Sequence, residues 1–307
     1  MNRSIWWTYG TIVLAMVCWG FNLPLLKYLL TFVGPITMTS ARLFVASILV
    51  FLMLLPLGVI RMPKRSEWKY IVGGALFNVF LHHYFLNVGL VRTTGVNAGL
   101  ILGTGPVLTA TLTALLLRQF PSRLQWTGVV FGFVGVSSVI LLDGGEIVGL
   151  SLGDAFIFIS ILTQVISFLI IAKVAPSFDP RLLTGYMLLV GSVVMLPVGW
   201  LQEPREWQTL LAAPSSFWIA FAVSALFGTA VGHMLYNASI GVIGPTKAAI
   251  FINLNTVFAL GGSALFLGET LTIRHGFALM LIVIGVIFGS GAAEQLLKER
   301  KKGTNTY

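Results

Sequence analysis

The chain alternates from end to end between long apolar runs and short polar breaks. Apolar runs of about 18 residues or more are long enough to cross a hydrocarbon core ~30 Å thick as a helix. Breaking the sequence at its charge and Pro/Gly clusters predicts about ten such helices: 5–30, 35–60, 68–91, 95–117, 124–142, 150–173, 180–201, 215–240, 244–268 and 275–293. Linkers such as Arg92-Thr93-Thr94 and 241–244 are so short that the helices they join are expected to be antiparallel neighbours. The first run, from Ile5 to about Leu30, is too long for a signal-peptide core and is expected to be a retained helix.

Composition removes the soluble alternatives. Of 307 residues, 57% are hydrophobic and 9% charged, and the mean hydropathy of +0.93 lies outside the range of globular domains. The net charge of +9 does not point to nucleic acid, because the basic residues sit in short loops and at the tail, where membrane topology places them. Arg3, the loops around 61–69, 118–123 and 173–181, Lys247 and the tail put 14 basic residues on one side. Only Lys27, Arg92, Arg205 and Arg274 fall on the other. This asymmetry predicts a multi-pass protein of a cell inner membrane with both termini in the cytoplasm and the acidic turn Asp143-Gly144-Gly145-Glu146 outside. The single cysteine, Cys18, lies within the first apolar run and reads as a small core residue, with no disulfide or cysteine metal site.

The chain also resembles itself. A shift of 150 residues superposes His83 on His233, Asn87 on Asn237, Ala98 on Ala248, Leu115 on Leu265 and Gly135-Val136 on Gly285-Val286. Near the start of each half the shift is 145, pairing Pro35 with Pro180 and Thr39 with Thr184. Two halves of five helices are expected: residues 1–147, residues 148–293, and a basic tail over 294–307. Because five is odd, the second half enters the membrane upside down, the inverted repeat of many secondary transporters. The expected fold is an all-α integral membrane protein, with about ten transmembrane helices as a 5+5 inverted repeat around a central cavity.

Several of these residues carry a family resemblance. Trp19-Gly20-Phe21-Asn22 in the first helix, Pro35 and Arg42 in the second, Ala98 and Pro106 in the fourth, Gly268-Glu269 at the end of the ninth and Gly285-Val286 in the last resemble the motifs of the EamA family of the drug/metabolite transporter superfamily. The ninth helix departs from the pattern, with Asn255-Thr256-Val257 where a proline is common, and Gln119 stands in place of a first-half Glu. Within the family the chain most resembles the YddG-type exporters of aromatic and other amino acids. The resemblance implies ten helices, a central cavity and outward transport of metabolites.

Polar side chains inside membrane helices are costly, so each is either a functional group or an interhelical hydrogen-bonding one. His83 and Asn87 share one face of the third helix, and His233 and Asn237 repeat that face in the eighth, with Tyr84 and Tyr236 close by. Trp19 and Asn22 in the first helix and Lys247, Asn253 and Asn255 in the ninth are further candidates for contact with a transported molecule. Lys247 has the alternative of snorkelling to the boundary. Arg42 lies about two turns into the second helix and has a fork suited to a carboxylate, with snorkelling again the rival. Gln164 and Tyr186 are weaker candidates. Glycines at 95, 99 and 103 form a stripe for close helix approach, and Pro106 is expected to kink the fourth helix.

Acidic residues fall at helix ends, so no mid-membrane carboxylate relay is visible; a proton path through His83 or His233 stays open beside facilitated transport. Gly244-Pro245-Thr246-Lys247 lacks the second glycine of a phosphate loop, and there is no HExxH motif or paired-carboxylate site. The chain is therefore expected to be a secondary transporter without cofactor or enzymatic activity. Its partners are expected to be a small molecule, an amino acid above all, and membrane lipid, not nucleic acid, with a monomer as the simplest unit. Another metabolite or drug class, a membrane enzyme and an assembly subunit are the alternatives.

Overall fold

The computed structural model describes residues 3–142, 149, 151–267 and 272–297. The acidic turn 143–146, the expected boundary at 147/148, Gly268-Glu269 and most of the basic tail lie outside the described residues. Among the described residues every regular element is helical. Nine helices within the described residues are long and apolar enough to span a membrane: α1 (Ile5–Leu29), α2 (Pro35–Leu57), α3 (Trp68–Leu90), α4 (Gly95–Leu117), α5 (Arg123–Leu142), α6 (Leu152–Val174), α7 (Pro180–Gln202), α8 (Ser215–Ile243) and α9 (Pro245–Leu265). A tenth, α10 (Ile273–Gly289), is a largely apolar helix of 17 residues, at the lower limit of about 17 for a span. The polar breaks thus locate the helices to within a few residues. A short helix between α7 and α8, Glu206–Leu211, has no apolar run to announce it.

Helix starts are fixed by local chemistry. Pro35, Pro180 and Pro245 open α2, α7 and α9, where a missing N–H costs nothing. The free N–H groups of α2 donate to carboxylates from the other half: Thr37 to Glu203 at 2.8 Å and Gly34 to Glu206 at 2.8 Å. Ser151 and Asp154 form a reciprocal cap on α6, and Asp154 also accepts from Thr93 and Asn97 at the start of α4. In the α2–α3 loop Arg61 grips Glu67 through two bonds of 2.6 and 2.8 Å, and this holds the Glu67 carboxyl down at about 2.

The ten helices pack as two sets of five, and the contacts match. α1 packs on α8 and α9, as α6 packs on α3 and α4; α2 meets α8, as α7 meets α3; α4 meets α5, as α9 meets α10. The equivalent helices α2 and α7 also pack directly on each other, as do α5 and α10. The α5–α10 contact is made by glycines: a Cβ on Gly285 would sit 2.5 Å from the backbone nitrogen of Gly132, and one on Gly128 would sit closer still to the backbone nitrogen of Gly289. The expected stripe on α4 is looser. Gly99 and Gly103 receive the side chains of Ile140 and Val136 rather than a backbone, and Gly95 faces open space.

Departures from regular α-helix also come in pairs. α4 breaks at Thr104, with Pro106 in the first turn of its second segment. α9 breaks at Phe251-Ile252 between Pro245–Ile250 and Asn253–Leu267, with no proline at the break. α3 and α8 each widen into π-helical turns, over Ala75–Leu81 and Ser224–Val231. The outer surface is apolar, with Leu14, Leu52, Leu115, Leu265 and Phe277 all more than half exposed, as a lipid-facing surface requires.

Candidate functional site

The paired wide turns in α3 and α8 bring two histidines together. His83 Nδ1 lies 2.9 Å from the Val79 carbonyl, and His233 Nδ1 lies 3.0 Å from the Thr229 carbonyl, positions 150 residues apart in both members. A carbonyl can only accept, so Nδ1 carries the proton in each neutral ring and Nε2 is left as an acceptor. The two rings face each other with centroids 6.3 Å apart and planes 32° from parallel.

Arg42 reaches into the same region from α2. It is 6% exposed, and its guanidinium donates to the Thr229 hydroxyl at 2.6 Å, so Arg42 and His233 share one residue of α8. The side chain turns into the bundle rather than snorkelling outward. Its Nε has no partner among the described residues. The only buried Asp and Glu residues among those described, Asp154 and Glu67, lie at helix ends and are engaged there.

Aromatic groups flank the histidines. The Trp19 ring lies 5.1 Å from His233 and 5.1 Å from Tyr236, and Phe168 packs on Tyr236 at 5.2 Å. The indole Nε1 of Trp19, the Tyr236 hydroxyl and Asn22 Oδ1 are buried without hydrogen-bond partners, an arrangement too costly to be explained by packing alone.

The remaining candidates fall into other settings. Asn87 donates to Thr39 at 3.3 Å and Asn237 to Thr184 at 2.9 Å, so the repeated asparagines tie α3 to α2 and α8 to α7 as a matched pair of interhelical bonds. Tyr84 accepts from Gln202 and stacks near Phe80. Tyr186 donates to the Arg61 carbonyl. Lys247 lines an open cleft at one end of the bundle with Gln119, Gln125 and Thr246. Asn253 is buried against Gly132, with its amide nitrogen unpartnered, and Asn255 Oδ1 is likewise unpartnered.

His82 was not among the residues singled out by the repeat, because its counterpart at 232 is glycine. It is buried beside His83 at 4.9 Å between ring centroids, bonded at Nδ1 to Ser160 and at Nε2 to Gln164 (3.1 Å). One turn before it, Asn78 donates to Ser167 at 2.7 Å. The signal for both was present as an i, i+4 polar pair that extends the polar residues His83 and Asn87 back along the helix.

Two matched sets of five helices, whose partner helices carry polar side chains to a shared interior, define a repeat-built membrane transporter. The chain belongs to the EamA-like transporter family, whose model matches residues 6–141 and 151–290. It is similar to the uncharacterized transporter YyaM of Bacillus subtilis, with 26% identity over 89% of this chain and 90% of the relative. It is also similar to the uncharacterized inner membrane transporter YedA of Escherichia coli, with 24% identity over 91% and 89%. A crystal structure with 16% sequence identity superposes at a TM-score of 0.75 over 93% of this chain and 97% of that one, which bears on the fold alone.

Proposed function

We propose that this protein is a secondary transporter that exports small organic metabolites, amino acids including aromatic ones, by alternating access in a cell inner membrane with both termini in the cytoplasm. Residues 1–147 and 148–293 act as the two inverted repeats, and the cargo sits where α3 and α8 meet. The meeting of His83 with His233 carries the reading: one polar position, buried in His83 and half-buried in His233, is presented twice, from opposite halves, at a common interior point. In an inverted repeat one packing solution is built in both senses, which brings inward-open and outward-open states close in energy.

Trp19, Tyr236 and Phe168 supply π surfaces beside that point, which suits an aromatic or apolar side chain. Trp19, Asn22, Arg42, His83, His233 and Tyr236 form the inner contact set. Asn87 and Asn237 hold the helices that carry it, and Tyr84, Lys247, Asn253 and Asn255 line the path that opens on either side. The excess of basic residues on the side of the N-terminus supports the orientation, and the Escherichia coli relative, named an inner membrane transporter, supports the membrane.

Uptake of a panel of labelled amino acids into proteoliposomes, with and without a pH gradient, is the test. Saturable uptake dependent on the protein is expected, and acceleration by the gradient assigns a proton to the cycle. Flat traces for every amino acid refute the cargo assignment, and flux of another metabolite or drug class in the same vesicles moves the assignment there.

A further inference from the structure

We propose that Arg42, His83 and His233 form a head-group subsite that takes the carboxylate of the cargo on the guanidinium, with the two imidazole Nε2 atoms accepting from the adjacent ammonium where the cargo has one. The proposal rests on the transport reading and names the cargo chemistry that reading leaves open.

The first argument is charge. Arg42 is a buried cation whose one hydrogen-bond partner among the described residues is a neutral hydroxyl. A buried charge without a counterion is costly, and within a membrane it ordinarily finds a partner or marks a ligand path. No described Asp or Glu side chain bonds to it. The missing anion is therefore one that comes and goes.

The second argument is geometry. Thr229 occupies one terminal nitrogen of the guanidinium and leaves the Nε edge unpaired. That edge is one of the faces on which a planar fork receives a carboxylate through two parallel bonds. A hydroxyl-only ligand would leave the charge uncompensated, and a cationic one would add to it.

The third argument is the histidine tautomer. Both Nδ1 atoms are committed to carbonyls, so each ring offers a lone pair at Nε2 beside the cation. His233 is linked to Arg42 through Thr229, and both rings lie within its electrostatic reach. A fixed cation next to two acceptors is complementary to an anion next to a donor, the arrangement found in an α-amino acid. The ring pair adds affinity for the amine, whereas Arg42 makes the carboxylate obligatory.

The experiment compares amino acids with their amides, their decarboxylated amines and the matching acids without the amino group, all on the purified full chain. Thermal stabilisation in detergent reads binding, and competition for flux in proteoliposomes reads transport. Acids with or without the amine are expected to stabilise and compete, and amides and amines to be weaker by about tenfold or more. Arg42→Gln is expected to abolish the difference, and Arg42→Lys to retain part of it. Should Arg42→Gln not fold, the wild-type panel decides. Amides or amines within about threefold of the acids, or an acid preference surviving in Arg42→Gln, overturns the subsite while leaving transport intact. Binding of acids without flux upholds the subsite and removes the transport reading. Silence across the panel overturns the proposal.

Discussion

The interface of α1 with α8 and the interface of α6 with α3 occupy equivalent places in the two halves, yet they are built from opposite materials. In the first, Trp19 and Asn22 lie over Gly232 and Gly228. In the second, Gln164 bonds His82 and Ser167 bonds Asn78. The residues correspond throughout: 82 and 232, 78 and 228 differ by 150, while 19 and 164, 22 and 167 differ by 145. A large side chain facing glycine on one side becomes a smaller polar side chain facing a large polar one on the other. Shape and total volume are conserved where identity is not, which is what close packing demands of two copies sharing one backbone.

Arg42 extends the contrast. Its equivalent position is Met187, and the equivalent of Thr229 is Val79, both fully buried apolar residues. The charged position thus belongs to one half only. An interior lined unequally in this way can bind an unsymmetrical molecule in one orientation, although the scaffold around it is nearly symmetric.

Breaking the size complement should have the largest effect. Gly232→His places the side chain of one half against the Trp19 of the other, and overpacking of that kind costs about 3 kcal/mol. A steep fall in Tm in detergent and loss of flux are expected. Adding Trp19→Gln transplants the α6–α3 pair, and should recover at least half of the lost Tm; a double variant no better than the single one refutes the equivalence. Gln164→Leu removes the donor to His82 Nε2 and should cost about 1 kcal/mol, less than the glycine change. Ser167→Ala should cost about 0.6 kcal/mol, since it deprives Asn78 of one acceptor.

The smallest effect is expected at the rim, where the halves also differ. Glu67 is held at about 2 by Arg61, against an ordinary value of 4.5. A lowered carboxyl stabilises the folded state fully above its unfolded value and progressively less as pH falls toward the folded one. The Tm advantage of the wild type over Glu67→Gln should therefore be constant above about pH 5 and shrink between pH 4.5 and 2. An advantage that grows on acidification contradicts the assignment.

Much of the architecture was legible in the chain. Apolar length alone sets the helix count, and charge and proline set the starts, because a membrane core tolerates little else. The repeat found His83 and His233 because that pair kept its identity in both halves. It passed over His82 and Asn78 for the opposite reason, since glycine stands at their counterparts and complementarity across an interface leaves no trace in a comparison of like with like. The direction of Arg42 was equally hidden: a position two turns into a helix fixes depth, whereas the neighbour it faces is settled by packing. The glycines at 128, 132, 285 and 289 belong to a third case, a spacing visible in sequence whose partner only the folded chain supplies.

The wide turns of α3 and α8 carry a date. A turn with an extra residue is what a one-residue insertion leaves in a helix whose ends are already anchored. Here it stands at corresponding places, Ala75–Leu81 and Ser224–Val231. For halves that descend from one ancestral five-helix unit, a single insertion before the doubling accounts for both. On that descent the side-chain exchanges around Trp19, Gly232, His82 and Gln164 would follow the insertion, and the irregular backbone would be older than the asymmetry it now displays.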